Sequence, residues 1–195
     1  EPVSVIGLLP GSRDGEVEKL LPEMLKAANL LQKRYPDLSF LISLSDSVNE
    51  TRVREILSLH RGRATVEIAD QGVEAVFQRS GFVIAASGTV TLEAAIAGIP
   101  MVIIYKVSPA SYRLGKALIR VDHISLVNLI SGKRLVPELI QGEASPRRIA
   151  DTVEMMLSDT YGLKRIREEL VIIRERLGGP GASDRVAQIA LNLLR

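Results

Sequence analysis

Ala85-Ala86-Ser87-Gly88-Thr89-Val90-Thr91-Leu92-Glu93-Ala94-Ala95-Ile96-Ala97-Gly98-Ile99-Pro100-Met101-Val102-Ile103-Ile104-Tyr105 is the stretch whose reading decides the fold. An apolar run closes on small polar residues, Ala- and Leu-rich helical spacing follows, and Gly98 and Pro100 break it before a second apolar run. The order is strand, loop, helix, turn, strand, which is the repeating unit of a parallel sheet. A helix that begins at Ser87-Gly88-Thr89 leaves backbone N–H groups unpaired at its start, and such groups attract phosphate oxygens. Glu93 stands one turn further on, a lone carboxylate among Ala and Leu, within reach of vicinal ribose hydroxyls. Phosphate donors beside a ribose acceptor point to a ribose-diphosphate ligand; plain N-capping and a helix-dipole carboxylate are the bland alternatives.

The same unit repeats upstream. Val3 to Leu9 is a short apolar run ending in Pro10-Gly11. Val17, Leu20, Leu21, Met24, Leu25, Ala28 and Leu31 then recur at helical spacing from Glu16 to Arg34, and Pro36 stops them. Leu38 to Leu44, Ala64 to Ile68 and Phe82 to Ala86 read as strands, with helices over Val48 to His60 and Gly72 to Arg79 between them. Strands that are apolar throughout fit a sheet covered on both faces. The fold class is therefore α/β, a doubly wound, Rossmann-like parallel sheet with extra C-terminal helices. In such sheets ligands sit beyond the carboxyl ends of the strands. The loops at Pro10 to Arg13 and Ala86 to Thr89 both follow strands and are placed to share one cleft.

Beyond Tyr105 the pattern turns helical. Ala110 to Val121 has an apolar stripe (Leu114, Ala117, Leu118, Val121) and a basic one (Arg113, Lys116, Arg120). Ser125 to Gln141 reads as irregular. Ser145-Pro146 is a helix start, and that helix runs to about Leu157. Another helix spans Tyr161 to Leu177, and a last one Ser183 to Leu194 follows the Gly178-Gly179-Pro180-Gly181 break. The division is thus 1–177 as a nucleotide-binding domain and 178–195 as a break with a terminal helix.

Bulk properties narrow the function. At 195 residues and 46% hydrophobic content, one well-cored domain is expected. With no Cys, thiol catalysis and disulfides are excluded. The two His, His60 and His123, stand far apart without a metal-ligand pattern, so no metal is expected. No run of about 18 apolar residues spans a membrane and no signal peptide is visible, which makes the default compartment cytoplasmic. The chain starts at Glu1 rather than Met and is expected to be a piece of a longer protein. Net charge is +2, but Lys106, Arg113, Lys116, Arg120, Lys133 and Arg134 cluster against the single acid Asp122. The 113/116/120 stripe reads as a solvated helix face, an anionic-membrane contact or a nucleic-acid contact. Aromatics at 4% supply few stacking platforms, so nucleic acid is not an expected partner.

Gly11-Ser12-Arg13 is the second candidate loop. Gly permits an unusual backbone angle or close ligand approach, and the Arg13 fork suits phosphate oxygens. A plain βα turn with a solvated Arg is the alternative. The loop lacks the Lys-Ser/Thr ending of a Walker motif. Asn128, Glu138 and Gln141 could read sugar hydroxyls, or be ordinary loop polar residues. No acid is placed to orient either His for a Ser-His-Asp set.

Gly88 to Pro100 resembles the donor-site segment of nucleotide-sugar glycosyltransferases of the GT-B fold. Across about residues 3–145 the chain resembles, more closely, the C-terminal half of the lipid-A-disaccharide synthase family. The resemblance is carried by Leu8-Leu9-Pro10-Gly11-Ser12-Arg13 with Glu16, Ala86-Ser87-Gly88-Thr89 with Thr91, Leu92 and Glu93, Pro100-Met101-Val102 with Tyr105, Ser125-Leu126 with Asn128, and Pro137-Glu138-Leu139 with Gln141. Val127 and His123 depart from it, standing where the family usually has Pro and an aromatic such as Tyr.

The resemblance implies an inverting glycosyltransferase of lipid A biosynthesis. Its donor is UDP-2,3-diacylglucosamine, its acceptor 2,3-diacylglucosamine 1-phosphate, and its product a β-1,6-linked disaccharide. By the same resemblance Arg13 and the Ser87, Gly88 and Thr89 amides would face the diphosphate, with Arg13 stabilising the leaving group and Gly11, Ser12 and Thr91 as further substrate-binding candidates. Glu93 would hold the ribose, and Asn128, Glu138 and Gln141 would line the donor sugar. No cofactor or metal is implied. The acceptor site and general base would lie in an N-terminal domain absent from this chain, leaving it able to bind UDP but not to turn over. The implied setting is the cytoplasmic face of the bacterial inner membrane, met through Arg113, Lys116 and Arg120, with homo-oligomers through swapped terminal elements. A UDP-sugar epimerase of related fold and a non-catalytic nucleotide-binding module are the alternatives.

Overall fold

The computed structural model describes residues 3–108, 112, 123–179 and 181–193. The stripe of Arg113, Lys116 and Arg120 and its apolar counterpart lie outside the described residues.

The alternation read from the sequence is realised in β1 (Val5–Leu9), α1 (Asp14–Arg34), β2 (Ser39–Ile42), α2 (Glu50–Leu59), β3 (Val66–Ile68), α3 (Gly72–Arg79), β4 (Phe82–Ala86), α4 (Val90–Ile96) and β5 (Met101–Tyr105). The segment read as irregular is instead α5 (Leu126–Ser131) followed by β6 (Glu138–Ile140). Three residues are too few to show a strand period, and one of them is charged. β6 exists because it pairs with β5: Tyr105 lies opposite Ile140, and the Ile103 N–H donates to the Pro137 carbonyl at 2.9 Å. Three further helices follow: α6 (Pro146–Ser158), α7 (Thr160–Leu177) and α8 (Ala182–Leu193). Pro146 opens α6 as expected, although the Ser145 side chain makes no cap bond.

The six strands form one parallel sheet in the order β3-β2-β1-β4-β5-β6. Alternate residues feed two separate cores, as the period of a strand requires. Ile6, Leu8, Phe82, Ile84, Val102 and Ile104 point to one face, where α1 and α6 cover them with Leu21, Met24, Ile149 and Val153. Val83, Ala85, Met101 and Ile103 point to the other, covered by Val76 of α3, Ala94 and Ala95 of α4, Val127 of α5 and Leu170 and Ile173 of α7. Arg34 ties α1 to α6 by pairing with Asp151 at 2.9 Å and with Glu154. On α8, by contrast, Val186, Ile189, Leu191 and Leu193 are all exposed. Among the described residues no helix is long and apolar enough to cross a membrane.

Gly7 sits in the middle of β1 under α3. A Cβ there would lie 2.5 Å from Val76 Cγ1 and 2.8 Å from Val83 Cγ1. Two branched side chains in a packed core cannot both retreat. Gly7→Ala should therefore lower stability by about 1–3 kcal/mol in urea denaturation; an unchanged midpoint would show that α3 can lift off the sheet freely.

Candidate functional site

The strand order reverses direction between β1 and β4, and the register pairs Leu9 with Ala85 there. The two strands thus end side by side, and the chain must diverge to opposite faces of the sheet, opening a crevice at their carboxyl ends. A cleft of about 770 Å³ occupies this crevice. Pro10 to Arg13 and Ala86 to Val90 form its adjacent walls, and Ser43 to Asp46 after β2 and Asp70 to Val73 after β3 extend it along the sheet edge. Glu16 of α1 and Glu93 of α4 also line it. The two loops that the sequence places at strand ends thus line one cleft. The sequence reading missed the walls after β2 and β3, although the same strand-end rule applied to Leu44 and Ile68 would have found them.

The first loop is held from outside and from within. Ser47 donates its hydroxyl to the Ser12 carbonyl at 2.7 Å, and the Asn49 N–H donates to Asp14 Oδ1 at 2.9 Å. Glu16 accepts the Ser12 N–H at 3.3 Å and Arg13 Nη1 at 3.0 Å. Gly11 has φ +115°, which a side chain would strain. Arg13 stays solvent-facing, with a side-chain exposure of 81%.

In the second loop, no protein acceptor among the described residues takes the N–H groups of Gly88, Thr89 or Val90. Thr89 supplies no side-chain cap to α4. Gly88, Thr89 and Glu93 are exposed to the cleft. Three adjacent free donors and a guanidinium lining one cleft can together receive an anion. Thr91 differs from expectation: it is fully buried and donates its hydroxyl to the Gly88 carbonyl at 2.7 Å. It shapes the loop from beneath rather than facing the cleft. Arg13 is the cation of the lining, among the carboxylates Glu16, Asp46, Asp70 and Glu93.

Asn128, Glu138 and Gln141 do not line this cleft: Asn128 and Glu138 are buried with their polar atoms engaged, and the half-buried Gln141 is bonded to Val107 beside a separate surface pocket with Lys19 and Lys106. Glu138 is buried and accepts the Ile124 and Ser125 N–H groups at 2.9 and 3.0 Å, the Ser125 hydroxyl at 2.6 Å and Asn128 Nδ2 at 2.8 Å. Asn128, fully buried, also donates to the Val136 carbonyl and accepts the Val136 N–H. Gln141 grips Val107 at both backbone groups, accepting its N–H at 2.8 Å and donating to its carbonyl at 3.2 Å. Burial pushes the Glu138 carboxyl up, but the hydrogen bonds from Ser125, Ile124 and Asn128 outweigh it and hold the group below its ordinary range. Val127 is buried in the second core, and its N–H belongs to the first turn of α5. His60 contacts the Ile56 carbonyl through Nδ1 at 3.0 Å.

A second cavity of about 730 Å³ lies between α6, α7 and residues 133–139. Its lining includes none of the loops that follow β1 and β4; of its cations Lys133, Arg134, Arg148 and Arg165, Lys133 pairs with Glu169 at 2.7 Å. Among the described residues no group of three or more His, Asp or Glu could hold a metal ion.

Comparison with known proteins agrees with this fold. The family model for lipid-A-disaccharide synthetase matches residues 2–191. A lipid-A-disaccharide synthase of Geobacter sulfurreducens is 45% identical over 190 residues, covering 97% of this chain and 49% of that protein. One from Syntrophus aciditrophicus is 43% identical over 195 residues, covering 100% and 51%. The chain therefore spans about half the length of the curated relatives it matches. Among solved structures, the spinosyn rhamnosyltransferase SpnG complexed with thymidine diphosphate aligns with a TM-score of 0.64 at 15% identity, over 96% of this chain and 46% of that one. The calicheamicin glycosyltransferase CalG4 aligns at 0.60 with 16% identity, over 98% and 44%. At such identities the likeness speaks for the fold, which is that of GT-B glycosyltransferases.

The Glu138 network carries a pH dependence. A folded-state pKa below the unfolded one stabilises the fold above the unfolded value, and that stability is lost as pH falls through the folded value. Glu138→Gln should cost about 2–3 kcal/mol at pH 7, and the gap to wild type should close as pH drops below about 4. A gap equal at pH 7 and pH 3 in denaturant titrations would show that the charge plays no part.

Proposed function

Because the chain belongs to the lipid-A-disaccharide synthetase family, we propose that its carboxyl-edge cleft holds the nucleoside diphosphate of a UDP-sugar donor. The observation that carries this reading is that Arg13 and the free N–H groups of Gly88, Thr89 and Val90 line one cleft at the β1/β4 crevice. Glu93, on the same wall, accepts the ribose hydroxyls.

The reaction proposed is transfer of a 2,3-diacylglucosamine from UDP to 2,3-diacylglucosamine 1-phosphate. The acceptor hydroxyl attacks the anomeric carbon, the bond from that carbon to the β-phosphate oxygen breaks, and its electron pair stays on UDP. Attack opposite the leaving group inverts the anomeric centre and gives the β-linkage. Arg13 and the amide donors stabilise the charge that develops on the leaving diphosphate, which is where preorganised donors act most strongly on rate. The hydroxyl proton passes to a base that we assign, with the acceptor site, to the part of the family's length this chain does not span. Without that part the chain binds donor but does not turn over, and formation of disaccharide by the chain alone would overturn this assignment.

The alignment with the UDP-GlcNAc 2-epimerase from Neisseria meningitidis, TM-score 0.55 at 17% identity, is one of fold. An epimerase reading is disfavoured by the family match over residues 2–191.

Titration calorimetry tests the donor site directly. Arg13→Ala should weaken UDP at least tenfold while leaving uridine unchanged, since a hydrogen bond to a charged group is worth about 1.5–3 kcal/mol. Glu93→Ala should weaken UDP and uridine alike. Wild-type affinity in both variants, or no heat and no thermal shift with millimolar UDP, would sink the assignment. The acyl chains of the donor place the reaction at a membrane surface, on the cytoplasmic side, with Arg113, Lys116 and Arg120 meeting anionic headgroups. Reversing these three charges should reduce co-sedimentation with anionic vesicles; unchanged sedimentation would remove the stripe from the proposal.

A further inference from the structure

Glu16 occupies an unusual place for a carboxylate. It stands at the mouth of a cleft read as a diphosphate site, where Coulomb repulsion alone would make it a hindrance. Its two oxygens divide between two neighbours that face the ligand: Oε2 accepts the Ser12 N–H at 3.3 Å and Oε1 accepts Arg13 Nη1 at 3.0 Å. The backbone makes room for it. A Cβ on Gly11 would lie 2.5 Å from Glu16 Oε2 and 3.0 Å from Glu16 Cβ, so the absence of a side chain at Gly11 serves Glu16 before it serves any ligand. Arg13 is otherwise unrestrained: it is 81% exposed, against 33% for Glu16, and has no other ion pair among the described residues.

We propose that Glu16 is a positioning residue, which fixes one edge of the Arg13 guanidinium so that its remaining N–H groups are presented to the diphosphate as a preformed fork. One Nη1 contact leaves most of the five guanidinium donors available. Holding a long, exposed side chain in its binding geometry removes an ordering cost from the binding step. The inference rests on the donor-site reading above, since it concerns how Arg13 is aimed at that ligand.

The sign of one measurement separates positioning from repulsion. Glu16→Gln keeps the length and an acceptor for the Ser12 N–H but loses the ion pair. Glu16→Asp keeps the charge but is one methylene too short to bridge both partners. Calorimetry with UDP on the full 195-residue chain, after thermal melts establish folding, should find each variant weakened about threefold, the scale of a partly exposed ion pair. Uridine affinity should not move. In an Arg13→Ala background the Glu16 substitutions should change UDP affinity no further, since the effect acts through Arg13. Unchanged or tighter UDP binding by Glu16→Gln would overturn the proposal, as would an equal loss in the Arg13→Ala background, which would mark a role in the loop backbone alone. Failure of the donor reading looks different: Arg13→Ala alone would then bind UDP as wild type does.

Discussion

The parallel pairing of β1 with β4 governs where this chain can bind anything. It places Leu9 beside Ala85 and sends the two following segments to opposite faces of the sheet. No loop can bridge the gap, so a crevice is unavoidable at that edge. Both phosphate-binding candidates sit on its rim because they are the first residues after each strand. The covering of β1 by α3 requires a small residue in the middle of the strand, and Gly7 admits Val76 and Val83 at distances that a methyl group would not allow. The Ser87 N–H is spent on the Ile104 carbonyl at 3.1 Å, so the anion edge begins at Gly88, one residue later than the sequence suggests.

Polar groups in this protein divide by what they can reach. At the crevice, the N–H groups of Gly88, Thr89 and Val90 have no protein acceptor among the described residues. On the flank of the sheet, the carboxylate of Glu138 has four donors, and Asn128 uses both ends of its amide. A buried carboxylate without such partners would be strongly destabilising, so full satisfaction there is a condition of folding. β6 and the residue after it hold two stretches of chain: Gln141 holds Val107, and Glu138 holds Ile124 and Ser125.

Much of the fold was legible because it follows from local period. The alternation of apolar runs with helical spacing placed five strands and four helices before any contact was known, and the cleft loops followed from the strand-end rule. The family resemblance, carried by ordered motifs from Leu8 to Gln141, agreed with the family match over residues 2–191. Legibility failed where a residue's partner was remote. β6 has three residues and no period of its own, and is a strand only because β5 offers it an edge. Thr91, Asn128 and Glu138 look in sequence like polar groups free to meet a ligand, and nothing local reveals that each already has its partners. The walls contributed by Ser43 to Asp46 and Asp70 to Val73 were overlooked although the rule that found the others covered them.

Sequence by itself determined the α/β class, the doubly wound alternation, the loops that bear Arg13 and Ser87 to Thr89, and the family, since these depend on residue type, spacing and order along the chain. Tertiary structure alone decided which polar side chains are open and which are engaged, and that Gly11 accommodates Glu16. The physical reason is that hydrogen-bond satisfaction and steric clearance are properties of neighbours in space. Arg13 and Asn128 are both plausible ligand contacts on paper; only the packing leaves the first in solvent and seals the second inside.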